Sequence, residues 1–99
     1  MVRHIVVWNF KEGISAEERK QHGEVIKREL EGLKAVIPGV HSLEVIIDPL
    51  PTGNADLALN SVFESEQALA DYQVHPEHVR VSSFIKSLVC NRMCIDYLE

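Results

Sequence analysis

Residues 2–10 alternate between two sets of side chains, with Val2, His4, Val6, Trp8 and Phe10 on one face and Arg3, Ile5, Val7 and Asn9 on the other. A period of two with β-branched residues predicts a strand, and apolar residues in both sets predict cover on both sides. The period then changes. Val25, Ile26, Leu30, Leu33, Val36 and Ile37 recur at helical spacing, with Lys, Arg and Glu between them. Ser15 stands three residues ahead of Glu18, the spacing of a capping box. The acidic run "EGISAEE" suits the positive end of the helix dipole. Pro38 cannot continue that helix and Gly39 accepts a left-handed cap, so "IPGV" ends it. Residues 40–48 read as a second strand, "PLPTGNA" as a turn-forming loop, and residues 56–64 as a third strand with Leu57, Leu59, Ser61 and Phe63 on one face. Ser65 caps a second helix carrying Ala68, Leu69 and Tyr72. Pro76 interrupts it, the helix resumes over residues 76–86, and residues 88–97 form the last strand.

The order β-α-β-β-α-β predicts an α+β ferredoxin-like sandwich, a four-stranded antiparallel sheet with the helices on one face. Ile5, Val7, Val45, Ile47, Val62, Met93 and Ile95 nevertheless place apolar residues on both sides of the sheet. An uncovered apolar face implies a partner, and a symmetric homodimer meeting through the sheet faces is the economical answer.

Composition narrows the function. The 99 residues are 45% hydrophobic and 25% charged, the profile of one domain spanning 1–99. A chain this short buries only roughly 60–65% of its unfolded surface, a second reason to expect self-association. Net charge is −5, which disfavours nucleic acid because phosphate neutralisation supplies most of such affinity. No apolar run approaches the ~20 residues that span a bilayer. His4, Trp8 and Asn9 break what would be a signal peptide's apolar segment, so a cytoplasmic protein with no membrane association is expected. Cys90 and Cys94 fall in one strand, four residues and ~13 Å apart, too far for a disulfide. They are expected to be reduced, buried thiols.

The chemistry-bearing stretch is "LADYQVHPEHVRV", residues 69–81. Pro76 suits the first turn of a helix, which puts His75 at the cap position and His78 on the same face. A histidine can take a proton α to a carbonyl, and a nearby phenol can hydrogen-bond the resulting enolate. Tyr72 precedes the break, and His4 and Trp8 share a strand face that can line a cavity beneath it. The competing reading is structural, with His75 and His78 satisfying backbone groups at the kink and Trp8 belonging to the core. His-x-x-His offers two metal ligands, with His4, Glu77 or Asp71 as candidates for a third. That pattern is weak without a third ligand placed nearby, so no metal is expected. His22 and His41 read as solvent-exposed. There is no glycine-rich phosphate loop, nucleophile elbow or Cys-His pair placed for thiol catalysis, and no cofactor is expected.

"HIVVWNFKEGIS", "IPGV" and "FES" leading into "DYQVHPEHVRV" together resemble the stress-responsive A/B barrel domain family, whose members are dimeric α+β barrels. A distantly similar member, olivetolic acid cyclase, is a plant polyketide cyclase that performs an intramolecular aldol condensation without a cofactor. The resemblance implies a general base at His78, a carbonyl-holding hydroxyl at Tyr72, and His4 near the pocket. The sequence departs from that enzyme at Leu57, where the cyclase has another pocket histidine, and at His22-Gly23, where it has bulky aromatics. Its substrate therefore does not carry over. Three functions remain open. The first is a cofactor-independent cyclase, isomerase or lyase acting on a small hydrophobic carbonyl compound. The second is a non-catalytic small-molecule-binding or stress-associated dimer. The third is a cofactorless monooxygenase.

Overall fold

The computed structural model describes all 99 residues. Strands β1 (Val2–Phe10), β2 (Val40–Ile46), β3 (Leu57–Phe63) and β4 (Val89–Leu98) form one antiparallel sheet in the order β2-β3-β1-β4. Helices α1 (Ala16–Gly32), α2 (Glu66–Val74) and α3 (Pro76–Lys86) connect them in the expected order. Central strand β1 pairs His4 with Ser61 on one side and Asp96 on the other, and Val6 likewise with Leu59 and Cys94. Its even-numbered residues are all buried, and its odd-numbered ones are half-exposed. The even face meets the helices, where Ile26, Leu33, Phe63 and Val81 complete a core that is almost wholly closed to solvent.

Local chemistry explains the element ends. The Ser15 hydroxyl accepts the Glu18 N–H at 3.1 Å while the Glu18 carboxylate accepts the Ser15 N–H at 3.4 Å, the capping box expected at the start of α1. Glu31 also ties α1 to β2, accepting the Val45 N–H at 3.0 Å and the Lys27 ammonium at 2.8 Å. The helical periodicity predicted through Ile37 breaks down earlier. The last turn tightens to a 3-10 segment at Leu33–Ala35, which buries Leu33 and Ile37 but leaves Val36 exposed. Gly39 takes φ +82 as the chain turns into β2. That strand stops at Ile46, two residues short of the predicted end and just ahead of Pro49, which has no N–H for a ladder.

Val45 faces the helices, and Ile47, just past the end of β2, packs against the same core. The opposite face carries Ile5, Val7 and Val62, all half-buried, with Met93 and Ile95 at 71% and 59% exposure. No helix covers that side. Edge strand β4 has only Val89 buried, so the thiols are not the buried groups expected: Cys90 is half-buried and Cys94 exposed. His22 is half-buried rather than exposed, whereas His41 is exposed.

Candidate active site

The break between α2 and α3 is built by its own sequence. His75 leaves helical geometry at φ −63, ψ 134, as the residue before a proline prefers, and Pro76 opens α3. The His75 Nδ1 accepts the Glu77 N–H at 3.1 Å, capping α3. Of the two roles open to His75, a place in the substrate site or a structural one at the break, the ring takes the second: it works as a helix cap and is not part of the cavity wall described next.

Beneath the break lies a chamber of about 80 Å³, walled by His4, Val6 and Trp8 of β1, Tyr72 of α2, and His78 and Ile85 of α3. Gln73, His78, Ser82, Lys86 and Arg92 also line an outer cleft of about 360 Å³, so the chamber opens outward between α3 and β4. Chamber and cleft together reach the lower part of the roughly 300–1,000 Å³ range of small-ligand sites. A larger depression of about 700 Å³ lies near α1, where Arg19 already pairs with Asp56 at 3.7 Å and Lys27 with Glu31 at 2.8 Å. Arg19, Asp56 and Lys27 of its wall are taken up in those pairs, and no histidine lines it.

His78 Nδ1 lies 3.2 Å from the Gln73 carbonyl. A carbonyl only accepts, so Nδ1 carries the hydrogen and Nε2 keeps its lone pair. Burial pushes the imidazole pKa down, and His4, Arg92 and Lys86 push the same way against the Gln73 carbonyl. His78 is thereby held neutral near physiological pH. Its ring centroid is 4.2 Å from that of Tyr72, which is fully buried and 4.8 Å from Phe63 on the other side. The Tyr72 hydroxyl has no hydrogen-bond partner, and burial raises its pKa well above the ordinary phenol value. A buried, protonated hydroxyl with no partner, on a ring packed against a neutral imidazole, offers a donor and a base in one chamber wall.

His4, 3% exposed, donates from Nδ1 to the Asp96 carboxylate at 2.5 Å. Its backbone oxygen accepts the Ser61 hydroxyl at 2.7 Å. Trp8, 7% exposed, belongs to the core and to the chamber wall at once. Sequence reasoning missed Lys86 and Arg92. The β1–β4 register shifts between Val7 and Asn9, opposite Asn91, whose φ of 55 is one that Asn tolerates. That bulge precedes Arg92 on its way to the cavity mouth. Neither Arg92 nor Lys86 is in an ion pair, and no acidic residue lines chamber or cleft.

One stability prediction follows from the idle hydroxyl. Tyr72→Phe removes an unsatisfied buried group and is expected to stabilise the fold by about 1–2 kcal/mol, raising Tm by roughly 4–15 °C. Calorimetry checks it; an unchanged or lowered Tm means that the hydroxyl has a partner in solution.

The description "Stress responsive A/B Barrel Domain" fits the family profile that matches residues 2–99. The stress-response A/B barrel domain-containing protein HS1 of Arabidopsis thaliana is 31% identical over 99 residues, covering 97% of this chain and 87% of that protein. A crystal structure from Bacteroides fragilis, described as a dimeric protein of unknown function with a ferredoxin-like fold, superposes with TM-score 0.91 at 28% identity and covers 99% of this chain and 95% of that one. The hydroxynitrile lyase of Passiflora edulis has TM-score 0.78 over 99% of this chain and 92% of its own, but at 18% identity it shows the fold alone. No helix is long and apolar enough to cross a membrane. With the profile match running from one end of the sheet to the other, this chain belongs to the stress-responsive A/B barrel domain family.

Proposed function

We propose that the protein is a cofactor-independent enzyme, a cyclase, isomerase or lyase, acting on a small carbonyl compound that carries an anionic group. The observation that carries the reading is the pair of Tyr72, with its unpartnered hydroxyl, and His78, neutral with Nε2 free, in one chamber. In the proposed step His78 Nε2 takes the proton α to the substrate carbonyl. The C–H electron pair moves into the enolate, whose oxygen accepts the Tyr72 O–H. The enolate then attacks a second carbonyl, is reprotonated elsewhere, or expels a leaving group, according to the substrate. Lys86 and Arg92 supply the anion preference: they are unpaired cations at the mouth of a cavity with no acidic wall, in a chain of net charge −5. That a lyase occurs among similar folds makes such chemistry compatible with the scaffold and says nothing of this substrate.

Two simple ketones, one anionic and one neutral, serve as probes of the half-reaction. Deuterium exchange at C3 of 2-oxobutanoate, followed by NMR in D₂O, is expected to be accelerated by the protein, and that of uncharged 2-butanone much less. Arg92→Ala is expected to narrow the difference between the two. If neither compound exchanges faster than in buffer, the base assignment is lost. If both respond equally, the anion preference is lost.

The protein is further proposed to be a homodimer joined through the outer sheet face, where Ile5, Val7, Met93 and Ile95 form an apolar patch without a covering helix. The description of the Bacteroides relative as dimeric supports this. Ile95→Lys is expected to convert dimer to monomer in sedimentation equilibrium at micromolar concentration. A variant that stays dimeric moves the interface elsewhere.

A further inference from the structure

We propose that His4, Cys94 and Asp96 form a binding site for one thiophilic divalent cation, best matched by Zn²⁺. The three residues come together across the β1–β4 pairing: Asp96 lies opposite His4, and Cys94, two residues earlier, is on the same side of the strand. Their ligand atoms lie within 4.8 Å of one another. The Cys94 Sγ is 3.6 Å from the His4 Nδ1 and 3.5 Å from the Asp96 Oδ1.

These separations can be compared with what zinc requires. Tetrahedral bonds of ~2.3 Å to sulfur and ~2.0–2.1 Å to nitrogen and oxygen set S···N and S···O edges of ~3.5–3.6 Å and an N···O edge of ~3.3–3.4 Å. Both sulfur edges already have that length. Only the His4–Asp96 edge is too short, at 2.5 Å, because a hydrogen bond closes it. Asp96 is 41% exposed at its side chain and free to swing, whereas His4, at 4%, is fixed by the sheet and core. Opening the third edge by under an ångström therefore moves only the exposed partner.

The donor set is imidazole, thiolate and carboxylate, a mixture that suits zinc and leaves a fourth position for water. The Cys94 and Asp96 side chains are exposed and alternate with Met93 and Ile95 along β4; Cys94 borders the proposed dimer patch, but Asp96 lies outside it and leaves an entry path. Proton balance follows from the groups. Cys94 S–H releases its proton to solvent on forming the S–metal bond. The His4 Nδ1 hydrogen is lost, and Nε2 gains one from solvent. One proton net is released per cation bound. His4 also lines the chamber, so cation binding changes its Nε2 from acceptor to donor there.

The probe is Co²⁺, added to the full chain and then displaced by Zn²⁺. The expected result is one Co²⁺ per chain, with a near-ultraviolet thiolate-to-cobalt charge-transfer band, and one proton released in buffer-dependent calorimetry. Cys94→Ser is expected to abolish the band. Asp96→Asn should weaken Zn²⁺ by more than the roughly 10–100-fold typical of losing an outer-shell partner. Cys90→Ser and His78→Gln should leave both unchanged. Cys94 and Asp96 are exposed, so these variants keep the fold; calorimetric Tm confirms it. The proposal is overturned by non-saturable binding, by a band that survives Cys94→Ser, or by a band lost with Cys90→Ser or His78→Gln. None of these readouts depends on the enzymatic reading.

Discussion

His78→Gln is expected to lower catalysed α-proton exchange by roughly 10²–10⁴-fold, the contribution usual for a positioned general base. Gln fills a similar volume and keeps an N–H able to reach the Gln73 carbonyl, but it has no basic nitrogen. Circular dichroism and dimer mass should therefore be unchanged. In the wild type the rate should climb as His78 loses its proton and level off below the pH of about 6.5 at which an unperturbed histidine does so, because burial and the neighbouring cations lower its pKa. The same shift has a consequence for stability. As pH falls below about 6.5 the unfolded chain takes up a proton that folded His78 still refuses. Its stabilising contribution is present above that pH and is lost as pH falls through the lower folded-state value. A variant as active as the wild type, or a pH profile that His78→Gln leaves unmoved, would place the base elsewhere, with His4 as the next residue to replace.

Gly39→Ala is expected to cost about 2–5 kcal/mol. A left-handed conformation costs an ordinary residue roughly 1–2 kcal/mol, and overpacking adds about 1–3. Gly39 has φ +82, and a Cβ there would stand 2.7 Å from the Ala68 Cβ, where the α1–β2 junction presses on the start of α2. The loss is a large part of the ~5–15 kcal/mol that holds a domain together, and Tm should fall by roughly 10–40 °C. Gly13 is the internal control. It has φ +89 with nothing within 4 Å of the added atom, so Gly13→Ala should show the backbone cost alone. Urea unfolding of Gly39→Ala, Ala68→Gly and the double variant separates the two causes: if the clash is real, the double variant is more stable than the sum of the singles predicts. Equal effects at Gly13 and Gly39 would show that Ala68 yields freely.

Much of this fold is legible in the sequence because the signals are local. Alternation along β1, the Ser15–Glu18 box, Pro38-Gly39 and the His75-Pro76 break each involve neighbours within a few residues, and each names its element and end. Tyr72 and His78 can be placed on the two sides of one break for the same reason. The tertiary register is not legible. Nothing in residues 90–96 says that Asp96 will lie opposite His4, or that a bulge at Asn91 will carry Arg92 to the cavity mouth. The expected burial of the thiols fails because β4 is an edge strand, and edge position is a property of the sheet rather than of any segment. Likewise Val45 and Ile47 read as candidates for either face until the pairing of β2 with β3 fixes their side.

The pairing of the first strand with the last also governs when the site can exist. His4 and Asp96 are 92 residues apart in the chain, and β1, the centre of the sheet, lacks a neighbour on one side until β4 arrives. Ribosomal synthesis proceeds at roughly 5–20 residues per second, so β1 waits about 5–20 seconds with apolar residues on both faces. Pairings this distant in sequence are also slow to form because loop closure precedes any gain from contact. Nascent chains of this protein should therefore be clients of chaperones that shield exposed strands, and the time of greatest risk ends only when β4 has paired with β1.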